Sequence, residues 1–202
     1  MIVDTHILIS NILYKYLSKQ IDFKLNRLAF AYGNIKPDFI DRDIKRPHTL
    51  KESLHCVNKY SEKLMRENIS IKEFSISLGV ICHYMSDYFC LYHREGNDKK
   101  GFFEHILYEF SIHLRLLTLI LRGELRLNNN EMLGNSVEEI VLKLEEKYDG
   151  EEKGLTRDIN YALFAATQSS RLIVYSSQLY FEENQTNVMG EYLLSKINGG
   201  NL

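Results

Sequence analysis

The chain has no tryptophan, only two prolines and an odd number of cysteines among its 202 residues. Cys56, Cys82 and Cys90 show no C-x-x-C spacing, so neither a disulfide framework nor a thiolate metal knuckle is indicated; they read as reduced, small core residues. An excess of charge is also missing. With 25 basic and 27 acidic residues the formal charge is −2, which gives no general affinity for nucleic acid or anionic lipid, and no stable nucleic-acid partner is expected. The opening MIVDTHILIS lacks the basic segment and long apolar run of a secretory signal, and polar residues interrupt every later apolar run before it could span a bilayer. The expectation is a cytoplasmic protein without a transmembrane segment, whose partners are recognised at a local site.

What is present is helical periodicity. Apolar residues recur at helical spacing in nearly every long segment, and no Asn-Gly or Asp-Gly turn sits between alternating runs. The reading is an all-α, single-domain, compact multi-helix bundle spanning 1–202, with a partly flexible tail over 183–202. Helices are expected over 6–18, 23–32, 50–67, 71–91, 102–122, 137–148 and 156–180. Thr49 with Glu52, and Ser70 with Glu73, give the S/T-x-x-E capping box at two of the starts. GNIKPDFIDRDIKRPH, punctuated by Gly33 and Pro37 and dense in charge, reads as a long loop, and REGNDKKG as a shorter one.

Chemistry concentrates in 83-HYMSDYFCLYHRE-95 and in the helix after it. Residues four apart share a helix face, so His83 points with Asp87 and His105 with Glu109. An imidazole and a carboxylate converging from one face are ligands for zinc, and bundle cores are a known setting for carboxylate-bridged metal pairs. A His–carboxylate pair taken alone is more often an ordinary hydrogen-bonded pair. Asp87, however, lies among Met85, Tyr88, Phe89 and Leu91, and a buried carboxylate demands a cation or several donors.

The string H-x-x-x-D-x-x-x-x-x-H of His83, Asp87 and His93, followed after a short loop by H-x-x-x-E at His105 and Glu109, resembles the signature of the zinc-dependent phospholipase C family. That family is helical, carries a trinuclear zinc cluster and is distantly similar to the fungal single-strand-specific zinc nucleases. THILISNILYKYL resembles its first helix and points to His6, GNIKPDF to Asp38, and PHTLKESL to His48. The correspondence covers about the first 110 residues. It implies one zinc on His48, His83, Asp87 and Asp38, and a second on His93, His105 and Glu109. Asp87 would bridge to a third that also takes His6 and the N-terminus. His55 and His113 are left over, as ordinary hydrogen-bonding histidines on helix surfaces or behind the ligands.

The departure from the family lies at residue 1, where secreted members present a tryptophan whose amine and carbonyl bind zinc. Either Met1 lies outside the site, leaving two zincs, or its own amine and carbonyl take that place. Ile2 should prevent removal of the methionine, and the step from Met1 to His6 is similar to that in the related nucleases.

Clustered zincs suit attack of an activated water on a phosphate ester. The resemblance gives Asp38 the role of orienting or deprotonating that water. The expected activity is a phospholipase C-like phosphodiesterase. A nuclease or phosphatase acting on an intracellular phosphate ester, or a non-catalytic metal-stabilised protein, are the alternatives. Tyr84, Tyr88, Tyr92, Phe102 and Phe103 could line a headgroup or base pocket, but at helical spacing they read as core.

Overall fold

A computed structural model of the chain describes residues 1–20, 24–40, 43–94, 101–125, 127 and 131–198. Among them the only regular elements are helices: α1 (Val3–Gln20), α2 (Arg27–Phe39), α3 (Leu50–Arg66), α4 (Ile71–Tyr88), a 3-10 turn (Leu91–His93), α5 (Phe102–Arg122), α6 (Val137–Gly150) and α7 (Leu155–Asn198). The all-α expectation holds. Side chains of α7 are described to Tyr180 and at Glu182. The helix backbone runs on past the point where the tail was placed, and 199–202 lie outside the described residues.

α4 is the axis of the bundle. Every residue from Leu78 to Tyr88 is buried, because α1, α2, α3 and α7 pack around it. A stretch apolar on all sides must lie inside, and the polar residues between Leu78 and Tyr88, His83, Ser86 and Asp87, are carried inside with it. Its start is the expected capping box: Ser70 Oγ accepts from the Glu73 N–H while the Glu73 carboxylate accepts from the Ser70 N–H. The Thr49 box forms only in part, since the Thr49 hydroxyl donates to the Glu52 carboxylate and caps no backbone N–H.

Three expectations are corrected. The second helix starts later than 23–32 implied, at Arg27, with Asn26 Oδ1 accepting from the Ala29 N–H as its cap. It also does not stop at Gly33 but runs to Phe39, so GNIKPDF is helix and not loop. Gly33 is there for contact: a Cβ on it would lie 2.1 Å from the Ile76 carbonyl oxygen, and one on Gly79 would lie 2.4 Å from that of Phe30. The two glycines let the backbones of α2 and α4 touch, which is a packing role and not a turn. α4, finally, ends at Tyr88 and not at Leu91, and the chain passes into the 3-10 turn that carries His93. The REGNDKKG connection falls mostly on 95–100, outside the described residues.

Candidate metal centre

The continuation of α2 past Gly33 determines one wall of the site. Asn34 and Asp38, one turn apart, are held against α4 by the glycine contact. The Asn34 carbonyl lies 2.8 Å from His83 Nδ1. A carbonyl can only accept, so Nδ1 carries the proton and His83 Nε2 keeps a free lone pair. That nitrogen faces Asp87 Oδ2 at 3.2 Å, His48 Nδ1 at 3.1 Å and Asp38 Oδ1 at 3.6 Å. His48 enters from the segment before α3, with Nδ1 3.1 Å from Asp87 Oδ2.

α1 supplies His6, which is fully buried and stacked on the His83 ring at 4.0 Å. Neither His6 nitrogen has a hydrogen-bond partner; Nε2 stands 3.4 Å from Asp87 Oδ1. α1 begins at Val3, with Asp4 and Thr5 in its first turn. The Met1 amine is thereby drawn into the centre. It donates to Asp87 Oδ1 at 2.9 Å and to His93 Nε2 at 3.1 Å, and lies 3.2 Å from Glu109 Oε1. His105 Nε2 reaches the same Glu109 oxygen at 2.9 Å.

All nine candidate positions, Met1, His6, Asp38, His48, His83, Asp87, His93, His105 and Glu109, therefore gather in one chain of contacts centred on Asp87. Their ligand atoms fall into compact groups, His6 with His83 and Asp87, and Asp38 with His48 and His83. A third group joins His93 and Glu109 to Cys90, which sequence reading placed in the core as a small apolar residue. Cys90 is buried, so that reading described its burial correctly and missed its neighbours. No spacing rule reveals it, because the 3-10 turn that brings it round is not part of the helical period.

The electrostatics are those of a ligand set. Burial would push the Asp87 carboxyl up, but the amine, His93, His83 and His6 outweigh it and hold it well below the ordinary carboxylate range. Glu109 is likewise brought down to about 2, against burial, by His93, the amine and His105. Burial would lower the amine, but Asp87, Cys90 and Glu109 raise it to about 11. His6 is pushed down to about 3, first by burial and then by His83. Asp38 is raised, chiefly by burial. Two anionic carboxylates thus sit with lone-pair nitrogens in a buried space, and a dry imidazole with both nitrogens unsatisfied costs about 1–3 kcal/mol. A cation on those lone pairs removes that cost, so the residues fit zinc.

Behind the ligands stands a polar network absent from the sequence reading. The Tyr108 hydroxyl accepts from the Leu91 N–H at 3.0 Å and donates to Asp158, which also accepts from Tyr148 at 2.7 Å and from Arg157 at 3.0 Å. It ties the turn bearing His93 to α5, α6 and α7. His113 Nδ1 lies 3.1 Å from Thr5 Oγ1, and His55 is exposed, as expected of the two spare histidines. Tyr84 and Tyr88 are core, and Tyr92 stacks on His105 at 5.1 Å; Phe103 is exposed, contrary to expectation, and the Phe102 side chain lies outside the described set. Beside His93 opens a cleft of about 370 Å³ lined by Thr49, Leu50, Lys51, Arg94 and Glu145.

The family model described as zinc-dependent phospholipase C matches residues 5–157. That span holds every candidate ligand except Met1. No curated protein and no solved structure matches the chain.

Proposed function

Because the chain belongs to the zinc-dependent phospholipase C family, we propose that its buried histidine–carboxylate cluster holds two or three zinc ions and hydrolyses a phosphate diester, with a phospholipid headgroup as the first candidate substrate. The observation that carries this reading is His6: fully buried, beside an anionic Asp87, with neither ring nitrogen satisfied. The ligands would divide as the contacts group them. Asp38, His48 and His83 serve one ion, and His6, Asp87 and the Met1 amine another. His93, His105 and Glu109 serve the third, with Cys90 in reach of it. Asp87 presents one oxygen to each side, Oδ1 to His6 and the amine and Oδ2 to His48 and His83, as a bridging carboxylate does.

Bound zinc supplies Lewis acidity, polarising phosphoryl oxygens and making water acidic enough to attack near neutral pH. The remaining work falls to the chain. Asp38 ends α2 with its carboxylate partly exposed and 3.6 Å from His83. Its raised pKa suits a group that takes the proton of the attacking water and returns it to the leaving oxygen. The Asn34 carbonyl keeps His83 in one tautomer. The cleft beside His93 is of a size to hold a headgroup, and at its wall Arg94 is paired with Asp149 at 2.8 Å and with Glu145 at 3.2 Å. Among the described residues no helix is long and apolar enough to cross a membrane, so a lipid substrate would be met at its surface.

Cys90 favours a second reading for one ion. With it, the His93 group has four protein donors, the number of a closed structural site. One experiment addresses both. Protein purified without chelator is analysed for metal and assayed on phosphatidylcholine, single-stranded DNA and a chromogenic phosphodiester. Two or three zincs with turnover of the phospholipid are expected. Fewer than two metals per chain would refute the cluster; a full complement with no turnover on any substrate would leave only the structural role.

A further inference from the structure

α5 is apolar on two opposite faces and is covered on one. Its inner face carries His105, Glu109, Ile112, Leu116 and Leu119, of which the three apolar residues are buried. Two positions round from these, a second row runs Leu107, Phe110, Leu114, Leu117 and Leu121, with steps of 3, 4, 3 and 4, and Phe103 continues the spacing one step back. Leu117 is half-buried, whereas Leu107 is 64% exposed, Phe110 51%, Leu114 49% and Leu121 86%. Ile106 and Ile120, also exposed, flank the row on one side. The row leaves several hundred Å² of apolar surface in the open. That is at or beyond the ~300–600 Å² of the largest patch on an ordinary monomer and approaches the ~800 Å² each partner contributes to a standard interface.

The spacing says what covers it. A lipid surface asks only for apolar area, whereas alternating steps of three and four make the narrow seam that another helix fills knob by knob. The row has the same seam spacing as the inner face of α5, which does pack on helices. Charge favours the antiparallel arrangement. Glu104 stands in the first turn and Arg122 in the last, both exposed, while Arg115, on the same flank between them, is turned to Thr156 by a 2.8 Å hydrogen bond from its Nε. Two copies of α5 running in opposite directions set Glu104 of one beside Arg122 of the other, and Ile106 beside Ile120. They also oppose the two helix dipoles.

We propose that the outer face of α5 is a two-fold interface between copies of this chain, with Leu107 of one copy layered on Leu117 of the other and Phe110 on Leu114. This requires nothing of the metal chemistry, since His105 and Glu109 point the opposite way. The interface would hold the two metal centres apart on the outside of the dimer, near opposite ends of the paired helices.

The test is the mass of the zinc-loaded full chain by sedimentation velocity over a wide concentration range. Wild type is expected to sediment as a dimer, and Leu107→Glu with Leu114→Glu as a monomer with unchanged zinc content and helical circular dichroism. Because Leu107 is 64% and Leu114 49% exposed, the charges do not enter the core. A milder pair guards against misfolding: Glu104→Arg and Arg122→Glu should each weaken the dimer at least severalfold, and together restore it. A wild-type chain that remains a monomer, including one that binds neutral phosphatidylcholine vesicles as a monomer, would overturn the proposal. So would a dimer that survives both glutamates, or a charge swap that fails to restore what the single changes lost.

Discussion

At the scale of single residues, Met1 and Asp38 carry the most consequence. The amine of Met1 is buried between Asp87, His93 and Glu109, and α1 begins two residues on. An added Gly-Ser before Met1 would replace the charged amine beside Asp87 and Glu109 by an amide N–H. Zinc stoichiometry is expected to fall by about one ion per chain, read by elemental analysis; an extended chain with full zinc and full turnover would place Met1 outside the site. Asp38 should behave differently. It holds the rim of the cluster, where His48 and His83 remain to bind metal, so Asp38→Asn is expected to keep most zinc and lose turnover on the order of 10²–10⁴-fold, the range of a general base. Retained kcat would rule it out as the base. Both residues were named from sequence, Asp38 through the resemblance and Met1 as one of two alternatives. Cys90 and the Asn34 carbonyl were not. A backbone carbonyl has no signature in a sequence, and a thiol four residues before an arginine-bearing loop looks like any other small core residue.

Among the elements, α2 shows what a sequence misleads about. Glycine and proline are breakers in isolation, and Gly33 and Pro37 made a loop the reasonable expectation. The structure keeps both in a helix because the α2–α4 backbone contact needs Gly33, and Pro37, which gives up the bond its N–H would make to the Gly33 carbonyl, is followed by only two more helical residues. Function depends on this: Asn34 and Asp38 reach His83 only from a helix pressed onto α4. Gly79→Ala should therefore push α2 away, since its Cβ would meet the Phe30 carbonyl at 2.4 Å, rigid backbone that cannot step aside. We expect a loss of roughly 1–3 kcal/mol, read as a fall in Tm of several degrees, together with weaker zinc binding. Unchanged Tm would mean that the helices do not touch as described. α5 needed no such correction. Its bounds were legible as 102–122 from the apolar period, and the structure closes it at Gly123, which adopts the left-handed conformation (φ 66°).

For the molecule as a whole, the pH profile of the metal-free state follows from the site. Below about 6.5 an unfolded His6 takes up a proton that the folded one refuses until about 3, so stability falls as pH drops. Glu109, at about 2 when folded against 4.5 ordinarily, extends that fall, and Asp87 acts in the same sense. His48, raised by Asp87 against the pull of burial, works the other way near neutrality and softens the acid limb. Above 8.0 the unfolded amine loses a proton that the folded amine keeps until about 11, so stability falls again on the alkaline side. Protein held in chelator should have its highest Tm between about pH 6.5 and 8. Zinc should raise Tm throughout and flatten the alkaline fall, because a metal-binding amine is already deprotonated. A chelated protein whose Tm still climbs above pH 8 would show that the amine is not held as an ammonium.

Sequence by itself determined the helical class, five of the seven helix starts to within one residue, and the candidate ligands. The class and the starts rest on period and capping, and the pairs His83 with Asp87 and His105 with Glu109 on spacing, which are local and survive without tertiary contact; Met1, His6, Asp38, His48 and His93 came from the family resemblance. Three things were decided only by tertiary structure. The glycine contact made helix of an apparent loop. Burial around α4 turned separate His–carboxylate pairs into one cluster centred on Asp87. The choice of which face of α5 meets α7 left its other seam open. Each depends on which elements lie side by side, and no rule of spacing along one segment contains that information.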